Sequence, residues 1–146
     1  MGDLSRNFSL DEFDCNDGTP VPKIYIPHVR DLVTLILQPV RDAAVAEYGS
    51  RIISYSISSG FRTPEHNAKQ DGAADDSFHL YGMADDGHLV GIPIDAHYRL
   101  VIRLRAQGII PPCGIGYYPK SKVPFIHTDL GPWRDWPPLG AGSDQK

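Results

Sequence analysis

Two short polar segments about forty residues apart constrain this chain more than anything else in it: Ser77-Phe78-His79-Leu80-Tyr81-Gly82-Met83-Ala84-Asp85-Asp86 and Phe125-Ile126-His127-Thr128-Asp129. Imidazole nitrogens and carboxylate oxygens bind zinc at about 2.0–2.2 Å, and a hydrolytic zinc site takes three such ligands while a fourth position stays open for water. His79, Asp86 and His127 make up such a set. His79 and Asp86 are seven residues apart, and a regular strand of that length would hold them over about 20 Å apart on opposite faces. A turn must therefore intervene, and Gly82 permits one that other residues resist. Small Ala84 lets a neighbouring backbone come close. Along an extended segment His127 and Asp129 point to one side. Asp129 then lies either among the ligands or just behind them, where carboxylates orient ligating imidazoles.

The remaining pattern predicts an α+β domain, a small antiparallel sheet with flanking helices. Between about residues 27 and 48, Val29, Leu32, Val33, Ile36, Leu37, Val40, Ala43, Ala44 and Tyr48 recur at helical steps, describing one buried face. Pro39 is expected to kink or divide that helix and Gly49 to end it. Residues 51–58, with Ile53, Tyr55 and Ile57 at alternate positions, read as a strand. A second helix is expected from an Asp95 N-cap to a Gly108 stop, with Arg99, Arg103 and Arg105 on its solvated face. Extended runs at 115–118 and 123–130 flank Pro119-Lys120-Ser121-Lys122 and suggest a hairpin.

A chain of 146 residues is expected to form a single domain, here residues 1–139, followed by a flexible glycine-rich tail at 140–146. The net charge of −4 with 14 scattered basic residues gives no electrostatic footprint for nucleic acid. No stretch approaches about 18 apolar residues, and the start lacks a basic region followed by an apolar one. Neither membrane insertion nor a signal peptide is expected, and composition points to a monomer. Cys15 and Cys113 lack the paired spacing of a thiolate metal site and read as ordinary thiols, their pairing left open.

The series Ser59-Gly60-Phe61-Arg62-Thr63-Pro64-Glu65-His66-Asn67, then Ser77-x-His79-x-x-Gly82-x-Ala84-x-Asp86, then Gly114-Ile115-Gly116-Tyr117-Tyr118-Pro119, then His127-Thr128-Asp129-x-Gly131-Pro132-x-Arg134-x-Trp136 resembles the M15 family of zinc peptidases. It is similar in particular to the D-alanyl-D-alanine carboxypeptidase and murein endopeptidase branch, often encoded by bacteriophages. The opening Asn7-Phe8-Ser9-Leu10-Asp11-Glu12-Phe13 resembles the family's start. The resemblance implies a fold shared with hedgehog signalling domains, zinc held by His79, Asp86 and His127, and a peptidoglycan peptide as substrate. It selects Asp86 over Asp85 as ligand and leaves Asp85 facing solvent. It also implies that Arg62 binds substrate or stabilises the developing oxyanion.

One position departs from the pattern. Several relatives carry an acid three residues before the last histidine as general base, and Pro124 stands there. Asp129 is the substitute, as base or as support for His127. The expected function is zinc-dependent hydrolysis of stem-peptide termini or cross-links, in phage or prophage lysis. The protein would be made in the cytoplasm and reach the wall after release or on a phage particle. The other reading, favoured by Pro124, is a non-catalytic wall-binding or phage structural module. Outside the motifs, His88 and His97 read as surface groups, with His88 near enough in sequence to Asp86 to line a cleft. His66 and Asn67 read as a helix-start network after Pro64, and Ser77 as a brace for the ligand loop. Tyr117, Tyr118, Trp133 and Trp136 read as core or cleft wall.

Overall fold

The computed structural model describes residues 2–70, 74 and 76–137; the tail expected at 140–146 lies outside them. The first helical region is α1 (Ile26–Leu32), a π turn (Val33–Leu37) and α2 (Gln38–Tyr48). Pro39 sits in the first turn of α2. A proline ring collides with the carbonyl four residues earlier, and the wider π turn is where the helix makes room for it. Gly49 closes α2 at φ 61°. Val29, Leu32, Val33, Ile36, Leu37, Val40 and Ala44 are all buried, as the helical spacing requires.

Strands β1 (Ser54–Ser59), β2 (Ala84–Val90), β3 (Gly114–Tyr118), β4 (Phe125–Asp129) and β5 (Arg134–Trp136) form one sheet in the order β1-β2-β4-β3-β5. All neighbours are antiparallel except β5, which runs parallel to β3. The sheet is thus mixed, inside the expected α+β architecture. The hairpin β3–β4 forms where expected. Tyr55 is buried, whereas Ile53 precedes the strand and is exposed. A short α3 (Pro64–Ala68) and the longer α4 (Ile94–Ala106) complete the elements used below.

Three helix and histidine expectations are corrected. Pro93, not Asp95, is the N-cap of α4; Asp95 lies in its first turn and accepts from Arg99 at 2.8 Å. Arg105 is not on the solvated face but buried. Its guanidinium donates to Cys113 O (2.9 Å) and to Asp135 Oδ1 (2.5 Å), tying β5 to the helix. His97 is likewise buried, and its Nδ1 accepts from the Leu89 amide at 3.3 Å; the helix presents both residues to the sheet. Cys15 and Cys113 are free and buried.

Candidate active site

The register of β2 against β4 builds the centre. Asp86 pairs with His127, Asp85 with Thr128 and Ala84 with Asp129, so neighbours along β2 fall on opposite faces of the sheet. Asp86 and His127 share the face that opens to a cleft of about 550 Å³. A register shift near Ser59 at the end of β1 steers the chain into Gly60, Phe61 and Arg62 beside that cleft.

His79 arrives from a 3-10 turn, Phe78–Tyr81, capped by Ser77, whose Oγ accepts from the His79 amide at 3.2 Å. Gly82 then turns the chain into β2 at φ 70°, ψ 22°. A Cβ there would also lie 2.9 Å from Val29 Cγ2, so glycine is required for space as well as conformation. The His79 Nδ1–H donates to Gly60 O at 2.7 Å, leaving Nε2 to face Asp86 Oδ1 at 3.4 Å. His127 Nδ1 meets the same oxygen at 2.9 Å. One ligand atom from each of His79, Asp86 and His127 lies within 4.8 Å of the others. The sequence-predicted trio is brought together.

Arg62 stands beside the trio, three of its five N–H donors spent on position. It donates to Ser59 Oγ (3.1 Å), Asn67 Oδ1 (3.2 Å) and Asp86 Oδ2 (3.1 Å). Asn67 is buried, and its amide in turn donates to Ala74 O at 2.9 Å. Asn67 is therefore more than part of a helix-start network, and the signal that would have found it is its place five residues after Arg62 within the short α3.

Asp129 is fully buried. Its Oδ1 accepts from the amides of Gly114 (3.2 Å) and Gly131 (2.9 Å), and its Oδ2 from His127 Nε2 (2.8 Å) and Arg134 Nη2 (3.0 Å). The glycines of the 114–116 segment acquire a reason. A Cβ on Gly114 would come within 2.6 Å of both Asp129 oxygens, and one on Gly116 within 2.6 Å of the Trp136 ring. Trp136 leans on His127 at a centroid distance of 5.0 Å and donates to Tyr118 Oη at 2.6 Å. Both aromatics line the cleft, as does Arg134. Trp133, in contrast, is half exposed and carries the Arg105 guanidinium over its ring at 3.9 Å.

Burial and charge set the protonation states of the centre. Burial pushes the His79 imidazole below its ordinary value, with Asp86 opposing. Burial also works to lower His127, but hydrogen bonds to Asp129 and Asp86 overcome it and lift the imidazole to about 9. For Asp86 burial works upward, and the charges and hydrogen bonds of the two imidazoles hold the carboxyl well below its usual range. Without a metal, then, His127 carries the proton and Asp86 the negative charge.

Asp85 does not face solvent. It is fully buried on the far side of the sheet, where Thr128 Oγ1 donates to it and Tyr55 Oη lies at 3.4 Å. Burial lifts its carboxyl to about 7 against the Thr128 hydrogen bond. The strand alternation that aims Asp86 at the cleft sends Asp85 inward. His88 does not line the described cleft; it pairs across the sheet with Ser56.

A family model described as peptidoglycan L,D-endopeptidase MepK, of the M15 peptidases, matches residues 34–136, a span holding Arg62, His79, Asp86, His127, Asp129 and Arg134. The chain belongs to the M15 peptidase family. Curated relatives agree: the peptidoglycan L,D-endopeptidase MepK of Escherichia coli K12 is 37% identical over 82 residues, 53% of this chain and 41% of the relative. The probable peptidoglycan L,D-endopeptidase MepK of Haemophilus influenzae is 33% identical over 92 residues, 60% of this chain and 45% of the relative. The aligned part is thus under half the length of either M15 relative. No solved structure matches.

Proposed function

We propose that this chain is a zinc-dependent peptidase that hydrolyses L,D amide bonds in peptidoglycan cross-links, acting at the bacterial wall. The observation that carries the reading is the convergence of His79, Asp86 and His127 at the base of the cleft, with Arg62 fixed beside them. The donor set suits zinc: two imidazoles and a carboxylate, each with a supporting hydrogen bond. When bound, zinc supplies Lewis acidity, polarising a carbonyl and making water a competent nucleophile near neutral pH. The protein's own contribution is placement and charge. Arg62 keeps N–H groups beyond its three internal bonds, and these can meet a developing oxyanion or a peptide carboxylate. Arg134, over the Trp136 ring at 4.8 Å, gives the cleft wall a second guanidinium suited to the carboxylates of stem peptides.

Asp129, on this reading, supports His127 instead of acting as base. Both its oxygens are occupied by four donors, and a base must reach the proton it takes. Asp129→Asn is expected to lower zinc affinity or turnover by about 10–100-fold, the usual effect of losing a carboxylate behind a ligating histidine. Zinc titration alongside steady-state cleavage reads it. Loss of turnover beyond that range with zinc affinity unchanged would return Asp129 to the role of base.

Zinc loading should also be linked to pH. The metal-free His127 titrates at about 9 and must lose its proton to become a ligand. Raising the pH removes this competitor, so apparent affinity should climb about tenfold per unit toward pH 9 and then level off. Calorimetry at neutral pH in buffers of different ionisation enthalpy should detect about one proton released per ion.

Purified protein incubated with L,D- and D,D-cross-linked muropeptide dimers and pentapeptide monomers, with and without a zinc chelator, tests the activity by mass spectrometry. Chelator-sensitive splitting of L,D dimers is expected. Splitting of D,D dimers or trimming of monomers alone would replace the bond assignment. No cleavage by folded, zinc-loaded protein would favour the second reading, a non-catalytic wall-binding or phage structural module, to which the commitment of Asp129 and the presence of Pro124 both point.

A further inference from the structure

A second group of metal-ligating side chains lies outside this centre. Cys15, Asp17 and His66 each place one ligand atom within 4.8 Å of the others. We propose that Cys15, Asp17 and His66 form a second zinc site, of thiolate, carboxylate and imidazole ligands, that clamps the Cys15–Thr19 loop to the first turn of α3. The donor types are those zinc accepts, and a sulfur ligand distinguishes this site from the first.

The three ligands are held in place before any ion arrives. The loop closes through Cys15 N to Thr19 O (2.8 Å) and Gly18 N to Cys15 O (2.9 Å). Asp17 Oδ1 accepts from the Thr19 amide and Oδ2 from Thr63 Oγ1, both at 2.9 Å. The same Thr63 hydroxyl accepts from the His66 amide at 3.1 Å, so one side chain ties two ligands together. His66 Nε2 accepts from the Gln70 side-chain amide at 3.3 Å, which holds the ring in place when no ion is bound. Cys15 is buried, His66 half-buried and Asp17 exposed, which gives an ion a route in from the Asp17 side.

The position gives the site a consequence. The loop also meets the strand end through Asn16 Nδ2 to Ser58 O at 2.9 Å, and Phe13 O accepts from the Phe61 amide at 2.8 Å. An ion joining Cys15 and Asp17 to His66 would fasten this segment to the stretch that carries Arg62 and its partner Asn67. Cys15 and Asp17 lie before residue 34, where the match to the family model begins, and His66 lies within it.

Cobalt(II) titration of the full, reduced, metal-free chain tests the site through the near-ultraviolet charge-transfer absorption that only a thiolate ligand gives. The wild type is expected to take up a second cobalt ion with that band. Asp86→Asn, which removes a ligand of the first centre, should keep the band, so this site stands or falls apart from the peptidase reading. Cys15→Ser should abolish the band, Cys113→Ser should leave it, and His66→Ala should weaken the associated binding at least tenfold. Should Cys15→Ser fail to fold, Asp17→Asn, at an exposed position, serves in its place and should weaken the same binding. Absence of the band in the wild type once the first ion is loaded, or its survival in Cys15→Ser, overturns the proposal.

Discussion

Asp86→Asn is expected to empty the zinc centre of His79, Asp86 and His127 and reduce cleavage of cross-linked muropeptides to background while leaving the fold intact. The carboxylate holds three neighbours at once: His127 Nδ1 at 2.9 Å, His79 Nε2 at 3.4 Å and Arg62 Nη2 at 3.1 Å. An asparagine oxygen can still accept from Arg62, but the amide offers the metal no charge. The comparison with Asp86→Ala separates the two functions. Alanine also leaves the Arg62 guanidinium buried without its ionic partner, and breaking such a pair costs up to about 3–5 kcal/mol. The asparagine variant should therefore unfold in denaturant close to the wild type and the alanine variant well before it, with both holding one zinc ion fewer than the wild type by elemental analysis. A zinc content in purified Asp86→Asn equal to that of the wild type would remove Asp86 from the ligand set.

The candidate ligand trio is legible in the sequence from its residue types and flanking motifs, and the structure brings Asp86 and His127 together through one register and His79 through the Phe78–Tyr81 turn and Gly82. What it conceals is the strand between them. Residues 84–90 include Asp85, Asp86, Gly87 and His88, poor strand formers by propensity, yet they form β2, an interior strand paired on both sides, because tertiary partners outweigh local preference. Once that strand is known, the burial of Asp85 follows from alternation alone. Arg105 shows a different limit. On a helix rich in arginine nothing local distinguishes it from Arg99 and Arg103, since its partner Asp135 is thirty residues away. The same holds for Gly114 and Gly116, whose need for small size comes from Asp129 and Trp136 folded against them. Helix positions and turns were legible from periodicity and from Gly49, Gly82 and Gly108, each at positive φ.

Arg62→Ala is expected to lower turnover of an L,D-cross-linked dimer by about 10²–10³, the usual consequence of removing one donor to a developing oxyanion, with zinc still bound. The geometry supports a role in placement because the guanidinium is anchored on three sides, by Ser59, Asn67 and Asp86. The same anchoring creates a competing explanation, since alanine also deprives Asp86 of a buried cation and should lower the denaturation midpoint. Arg62→Lys resolves it. A lysine keeps positive charge beside Asp86 but is a single point of donation that cannot reproduce a planar fork, so stability should return toward wild type while turnover stays low. If Arg62→Lys instead restores turnover along with stability, the charge beside Asp86 is what matters and the oxyanion role is lost. If zinc leaves in both variants, Arg62 acts by holding Asp86 in place and belongs to the metal's support.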